Sequence, residues 1–265
     1  ILLTIKNRII FPKKKWREGN IPRCCHLHEL FVRSNGGVYP CCMVWMYSDL
    51  KIGHISDSNI ISKIRGFHGK CLCERYHLVP AENDNLLPDY SLLNVELSYK
   101  CNAKCAMCCV NAPDHEGSYN SEYYDYLLNM IELLNPKEIL VQGGEILVQK
   151  ESMEWLNKIK SKFPEISLSL VTNGNNLKFS EFVCNTFSRI TVSFVGFQPI
   201  TYETIMGLDI NKTMEFCETV VKNGNVKVFL KYLILPNNIH ELPMFLEWAI
   251  GLAPERIYFT DANIG

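Results

Sequence analysis

The run Val95-Glu96-Leu97-Ser98-Tyr99-Lys100 reads as a strand, and it opens into a loop bearing Cys101, Cys105 and Cys108 in the spacing C-x3-C-x2-C. No other stretch constrains the chain as strongly. Three thiols this close together, just after a strand, suit an iron–sulfur cluster. Most protein-bound cubane [4Fe–4S] clusters take a cysteine on every iron, so three ligands leave one iron open to a substrate or cofactor. Structural zinc takes four protein ligands, usually in two CxxC-like pairs, and this loop does not pair that way.

The 12 cysteines are unevenly clustered, and the adjacent pairs Cys24-Cys25, Cys41-Cys42 and Cys108-Cys109 make disulfide pairing awkward. They read as metal ligands in a reducing compartment, and the cytoplasm is expected. A net charge of -1 gives no case for nucleic acid as a partner, and the basic run Lys13, Lys14, Lys15, Arg17 reads as a solvated loop. No apolar run approaches the roughly 20 residues that a membrane-crossing helix needs. Ile1-Leu2-Leu3 also lacks the layout of a signal peptide. The chain opens without Met and stops at Gly265 straight after a strand-like run, so its ends are not read as natural ones.

Residues 1–90 do not alternate strand and helix. Their most regular piece is 30–41, where two β-prone runs flank Asn35-Gly36, a strong hairpin signal. Cys24 and Cys25 precede this hairpin, Cys41 and Cys42 follow its turn, and Cys71-x-Cys73 follows a short helical segment near 58–65. Folded together, these pairs make a four-thiolate site, for a cluster or for a zinc knuckle. Residues 80–93 read as a linker. Beyond it, strand-like runs at 93–98, 138–142, 167–172, 189–194, 226–235 and 256–260 alternate with helix-like runs near 121–134, 150–163, 179–187, 202–223 and 239–252. Six such units with right-handed crossovers require a parallel sheet. Periodicity alone allows a barrel or a doubly wound open sheet.

Cys101-x3-Cys105-x2-Cys108, followed by Gly143-Gly144-Glu145 at the next strand end, resembles the radical S-adenosylmethionine (radical SAM) family. The resemblance implies an α/β fold, a partial (β/α)6 barrel over residues 89–265, with Cys101, Cys105 and Cys108 holding a catalytic, SAM-binding [4Fe–4S] cluster. It implies that Gly143, Gly144 and Glu145 hold the SAM amino group, that Asn173 lies beside SAM, and that Ser193 lies near its ribose or carboxylate. Val195 stands where relatives often carry an acid. Lys231 is expected to pair with the SAM carboxylate, and Met107 replaces an aromatic that stacks near adenine. Catalytic groups of parallel barrels sit at the carboxyl ends of strands, where these residues fall.

Residues 1–88 resemble the auxiliary-cluster modules called SPASM and, in shorter form, twitch: Gly36-x4-Cys41, with Cys25 ten residues before Cys41, and Lys51-Ile52-Gly53-His54-Ile55 with His54 in place of Asn. That module usually follows the barrel. Here it precedes it, as a small cysteine-rich, hairpin-containing domain with one auxiliary [4Fe–4S] cluster on Cys25, Cys41, Cys71 and Cys73. Cys24 and Cys42 stand as substitutes within their doublets. Cys109 is expected to be a packed thiol, and Cys184 and Cys217 small core residues.

The reaction implied is reductive cleavage of SAM to a 5′-deoxyadenosyl radical that removes hydrogen from a substrate, with flavodoxin or ferredoxin as electron donor. Auxiliary-cluster relatives mostly modify peptides or proteins, so a peptide substrate is expected. A small polar metabolite or aminosugar is the alternative, kept open because the cysteine module fills the place of a leader-peptide-binding domain. The competing class is a non-enzymatic zinc or iron–sulfur module, which needs neither an open iron nor the Gly-Gly-Glu segment.

Overall fold

The computed structural model describes residues 29–67, 90–112 and 120–261. Cys24, Cys25, Cys71, Cys73, the basic run at 13–17 and most of the linker lie outside the described residues. Among the described residues, nine strands form one sheet: β1 (Glu29–Val32), β2 (Gly37–Tyr39), β3 (Gly53–His54), β4 (Leu92–Glu96), β5 (Glu138–Gln142), β6 (Ser167–Thr172), β7 (Arg189–Phe194), β8 (Lys227–Ile234) and β9 (Arg256–Asp261). The helices are α1 (Ile60–Arg65), α2 (Ser121–Leu134), α3 (Lys150–Lys162), α4 (Ser180–Thr186), α5 (Pro199–Met206), α6 (Ile210–Asn223) and α7 (Leu242–Leu252).

The strand order is β3-β2-β1-β4-β5-β6-β7-β8-β9, with every pair from β1–β4 through β8–β9 parallel except within the β1-β2-β3 meander. From β4 to β9 the strands stand in chain order. A doubly wound sheet reverses direction at a switch point, and this one does not. Right-handed crossovers that always advance one strand the same way put their helices on one face. The winding is that of a barrel, with β3 and β9 left as edges.

Strand side chains alternate between faces, and the sequence patterns this cleanly. Leu93, Val95, Ile139, Val141, Leu168, Leu170, Ile190, Val192, Val228 and Leu230 share one core with Leu127 and Met130 of α2, Leu156 of α3, Phe216 of α6 and Phe245 of α7. The other face is polar: Glu29, Asn94 and Glu96, then Glu138, Gln142, Ser169, Arg189, Thr191, Ser193 and Lys231. A second, smaller core of Phe31, Tyr39, Cys41, Val44 and Leu50 sits on that polar side at the hairpin.

The hairpin forms as its turn residues require. Gly36 adopts φ +81°, and a β-carbon there would lie 2.2 Å from Nε2 of His54, whose ring packs across the turn. Its β1 pairs with β4, so the sheet runs unbroken from the cysteine-rich stretch into the six βα units. One expected helix is two: the run at 202–223 breaks between α5 and α6, where Gly207 caps α5 with φ +67° and the Asp209 side chain accepts from Asn211 N. Both are local stop and start signals.

Candidate active site

The loop after β4 is tied down on two sides. Lys104 N and Ala106 N donate to the carbonyls of Met206 and Ile205 at 2.8 and 2.9 Å, so the last turn of α5 carries its middle. Gly144 N and Glu145 N donate to the carbonyls of Ser98 and Lys100 at 2.8 and 2.9 Å, fixing its start to the end of β5. Gln149 adds a bond from Nε2 to the Lys100 carbonyl at 2.8 Å.

Cys101, Cys105 and Cys108 are half-buried and line one cavity of about 180 Å³ with Gln142, Gly143, Gly144, Glu145, Thr172, Asn173, Ser193 and Met206. Backbone N–H groups already point at two of the sulfurs: Ala103 N at Cys101 Sγ and Ala112 N at Cys108 Sγ, both 3.3 Å. Burial pushes the Cys105 thiol up to about 12, with Cys101 and Cys108 adding to the shift, and burial likewise raises Cys101. Bare thiolates are therefore disfavoured here and need a cationic group among them. Among the described residues no three His, Cys, Asp or Glu side chains close around a single metal ion. The donor set fits a larger, thiolate-bound iron–sulfur group.

The Gly143-Gly144 pair is required by the chain itself. Gly143 has φ +133°, and a β-carbon on it would lie 2.5 Å from the Ser98 carbonyl oxygen. On Gly144 it would lie 2.2 Å from that of Lys100. The glycines let the cysteine loop press onto the β5 end. Neither glycine carbonyl is used by another group among the described residues. Glu145 is fully buried and accepts from Leu147 N at 3.1 Å, Thr172 Oγ1 at 2.8 Å and Asn173 N at 2.7 Å. Burial raises its carboxyl pKa against these bonds. With both oxygens engaged, the Glu145 side chain clips β5 to β6.

Asn173 continues the chain of contacts, donating from Nδ2 to Asn102 Oδ1 of the cysteine loop at 2.9 Å. Ser193 lines the cavity, and its hydroxyl has no protein partner among the described residues. Met107 packs against the main core and does not line the cavity. Lys231 stands beside Ser193 in the β7–β8 register, one strand beyond the cavity wall, with burial pulling its ammonium below the ordinary value and Cys109 opposing the shift. Cys109 is exposed, not packed, whereas Cys184 and Cys217 are buried in the core. Cys41 is buried in the second core, and Cys42 N donates to Glu29 Oε1, which also accepts from Asn94 Nδ2.

Several supports carry little sequence signal. Glu241 is fully buried and accepts from Phe197 N, Gln198 N and Thr201 Oγ1, gathering the amino end of α5. Burial works to raise its pKa, yet these bonds outweigh it and hold the carboxyl below the ordinary value. Glu241 thus anchors one end of the helix whose other end holds the cysteine loop. Arg33 pairs with Glu96 at 3.1 Å, donates to Tyr99 and lies over the Trp45 ring at 4.1 Å, tying the hairpin to the loop.

Residues 95–249 match the sequence family described as the radical SAM superfamily. A protein of Thermococcus kodakarensis named "Probable GTP 3',8-cyclase" is 27% identical over 135 residues, covering 49% of this chain and 43% of its own. The Streptococcus suis protein SuiB bound to S-adenosylmethionine superposes with a TM-score of 0.58 at 13% identity, covering 79% of this chain and 48% of its own. SuiB bound to precursor peptide SuiA gives 0.57 at 14%, with 78% and 46%. The chain thus spans less than half the length of each of these proteins. Among the described residues, no helix is long and apolar enough to cross a membrane.

Proposed function

The chain belongs to the radical SAM superfamily, and from that premise we propose an enzyme that cleaves SAM at Cys101, Cys105 and Cys108 and acts on a peptide or protein. Membership implies a [4Fe–4S] cluster and SAM as cofactors. A cluster held by Cys101, Cys105 and Cys108 would supply one electron to the SAM sulfonium, splitting it into methionine and a 5′-deoxyadenosyl radical that could remove hydrogen from a substrate. Everything else is the work of the chain's own residues.

The observation that carries this reading is the convergence of three half-buried thiols on one cavity that Gly143 and Gly144 also line. The two unused glycine carbonyls are acceptors for the SAM amino group. The Ser193 hydroxyl is a spare donor for its ribose or carboxylate, and Glu145 and Asn173 keep this edge in register by bonding β5, β6 and the cysteine loop together. The protein's part is to position SAM and to keep water and stray hydrogen donors from the radical.

An auxiliary [4Fe–4S] cluster on Cys25, Cys41, Cys71 and Cys73 belongs to this proposal, in a functional unit of residues 1–88 that shares its sheet with the SAM-cleaving unit of 89–265. Buried Cys41 on the polar side of the hairpin supports it. Flavodoxin or ferredoxin is the proposed reductant, in the cytoplasm. The peptide reading draws on the fold shared with SuiB, one of whose structures carries a precursor peptide. A small-molecule substrate is the second reading, favoured by the cyclase name of the sequence relative.

The test is anaerobic reconstitution with iron and sulfide, then dithionite and SAM, following 5′-deoxyadenosine by chromatography. About eight irons per chain, for two four-iron clusters, with 5′-deoxyadenosine formed, is the expected result. Zinc in place of iron with SAM intact would return the chain to a structural metal protein.

A further inference from the structure

Three polar side chains lie in one row across the carboxyl half of the polar face. The β7–β8 register sets Ser193 beside Lys231, and the β8–β9 register sets Lys231 beside Tyr258. Laterally paired residues of parallel strands share a face, so all three point to the side that carries the cysteine cavity. Ser193 forms part of the cavity wall, but Lys231, Tyr258 and Cys109 do not. The row therefore leads from the cysteine cavity outward, beyond the residues that line it.

Lys231 is half-buried there and has no ion pair or hydrogen bond among the described residues. A half-buried ammonium with no counter-charge is costly unless an anion joins it. The other cations of the sheet's polar face do not share the task, and Lys100 and Lys104 of the cysteine loop are exposed. Arg33 is committed to Glu96 and Arg189 to Glu138, while Lys227 and Arg256 stand at the amino ends of their strands. Among the described residues, the row thus offers one cation without a protein counter-charge, with Ser193 on one side and Tyr258 on the other.

From this we infer that Lys231 receives a single carboxylate of the substrate, beside the SAM cavity, with Tyr258 as the flanking hydrogen-bond group. The inference rests on the proposed SAM-cleaving site and narrows its substrate class. One ammonium balances one carboxylate, such as an acidic side chain or a chain terminus of a peptide. A polyphosphate would bring several negative charges to a row with one cation, and most of them would go unpaired. The charge count therefore favours the peptide reading over a nucleoside triphosphate. It also moves Lys231 from the cofactor, where its charge on the fifth strand of the six put it, to the substrate.

The full chain, reconstituted with iron and sulfide and saturated with SAM, is titrated with glutarate, with glutaramide and with tripolyphosphate. Ligand-observed NMR reads binding for the wild type, Lys231→Met and Lys231→Arg, and equilibrium dialysis reads SAM affinity for each. We expect glutarate to bind and glutaramide not to, Lys231→Met to weaken glutarate about tenfold or more, and Lys231→Arg to keep most of it, as loss of a charge-assisted contact predicts. The loss should fall on glutarate and not on SAM. Parallel loss of both would put Lys231 on the cofactor and overturn the inference while leaving SAM cleavage standing. Tighter binding of tripolyphosphate, or no binding of glutarate by the wild type, would also overturn it. Failure of the wild type to load iron or bind SAM would instead remove the reading on which the inference rests.

Discussion

The two ends of the polar face carry the same kinds of side chain and treat them differently. At the amino end, Ser169 Oγ donates to Glu138 Oε1 at 2.7 Å, Arg189 pairs with the same oxygen, and the Ser167 and Ser188 hydroxyls bond each other at 2.6 Å. Every one of these groups is satisfied by a neighbouring strand. At the carboxyl end, Ser193 and Lys231 lack a protein partner among the described residues, and three thiols face a cavity. Polar groups that satisfy one another hold strands in register. Polar groups that do not are a standing cost, removed only when a ligand binds. Spare bonding capacity, not polarity, separates the working end of this sheet from its structural end.

The sharpest break in that comparison is Cys105→Ala. It removes one of three cluster ligands and leaves the strands untouched, so 5′-deoxyadenosine should fall to background while the circular dichroism spectrum persists. If cleavage continues, the three-cysteine site is wrong. Cys71→Ala should instead lower iron content by about half, the share of one of two four-iron clusters, and leave uncoupled SAM cleavage measurable. Loss of all iron would mean one shared site.

Next is Gly144→Ala. Its added β-carbon meets backbone, the Lys100 carbonyl at 2.2 Å, and backbone cannot swing aside as a long side chain can. The cysteine loop must lift from β5. The expected cost is about 1–3 kcal/mol, as for other overpacked sites, with iron loading impaired more than thermal stability. Iron content matching the wild type would show that the loop needs no such close contact.

Glu241→Gln tests the strut under α5 and carries a pH signature. Hydrogen bonds hold the Glu241 carboxyl below its ordinary pKa in the folded chain. A carboxyl lowered on folding adds stability above its unfolded pKa, about 4.3, and loses it as pH falls through the folded value. The wild type should therefore release its cluster more readily as pH drops below about 4.3, measured by loss of the iron–sulfur absorbance. In Glu241→Gln that acid step should flatten, and cluster loss at neutral pH should quicken. An unchanged acid profile would disconnect Glu241 from the loop.

How much of this was legible beforehand depends on the range of the interaction. The strands announced themselves because Ser167-Leu168-Ser169-Leu170 and Arg189-Ile190-Thr191-Val192 alternate with the two-residue period of a pleated strand. The cysteine spacing and the Asn35-Gly36 turn are equally local, and both are where the sequence placed them. The Gly-Gly-Glu segment was found, but its purpose was visible only in three dimensions. Its glycines admit the Ser98 and Lys100 carbonyls more than 40 positions earlier, and its carboxylate spans to β6. Glu241 gave no signal, since it caps a helix that begins 42 residues before it. The strands of 1–90 hid their membership of the main sheet for the same reason. A parallel pairing between β1 and β4, across about 60 residues, leaves no periodic trace in either strand.

The smallest effect should come from the satisfied end of the face. Arg189 and Glu138 are each about a third exposed, at 33% and 28% of their side-chain surface, so solvent screens much of their attraction. Arg189→Met keeps an aliphatic stem and removes the charged guanidinium, which lies 5.5 Å from the Phe229 ring centre. Solvent-facing pairs of this kind are worth about 0–1 kcal/mol, and the loss of one should shift urea unfolding slightly while SAM cleavage and cluster content stay at wild-type levels. Ser169 keeps Glu138 partnered after the change, which limits the cost of leaving a carboxylate unpaired. A tenfold fall in SAM cleavage from this variant would erase the distinction between the two ends, because it would show the amino-end network acting on the chemistry about five residues up the strand.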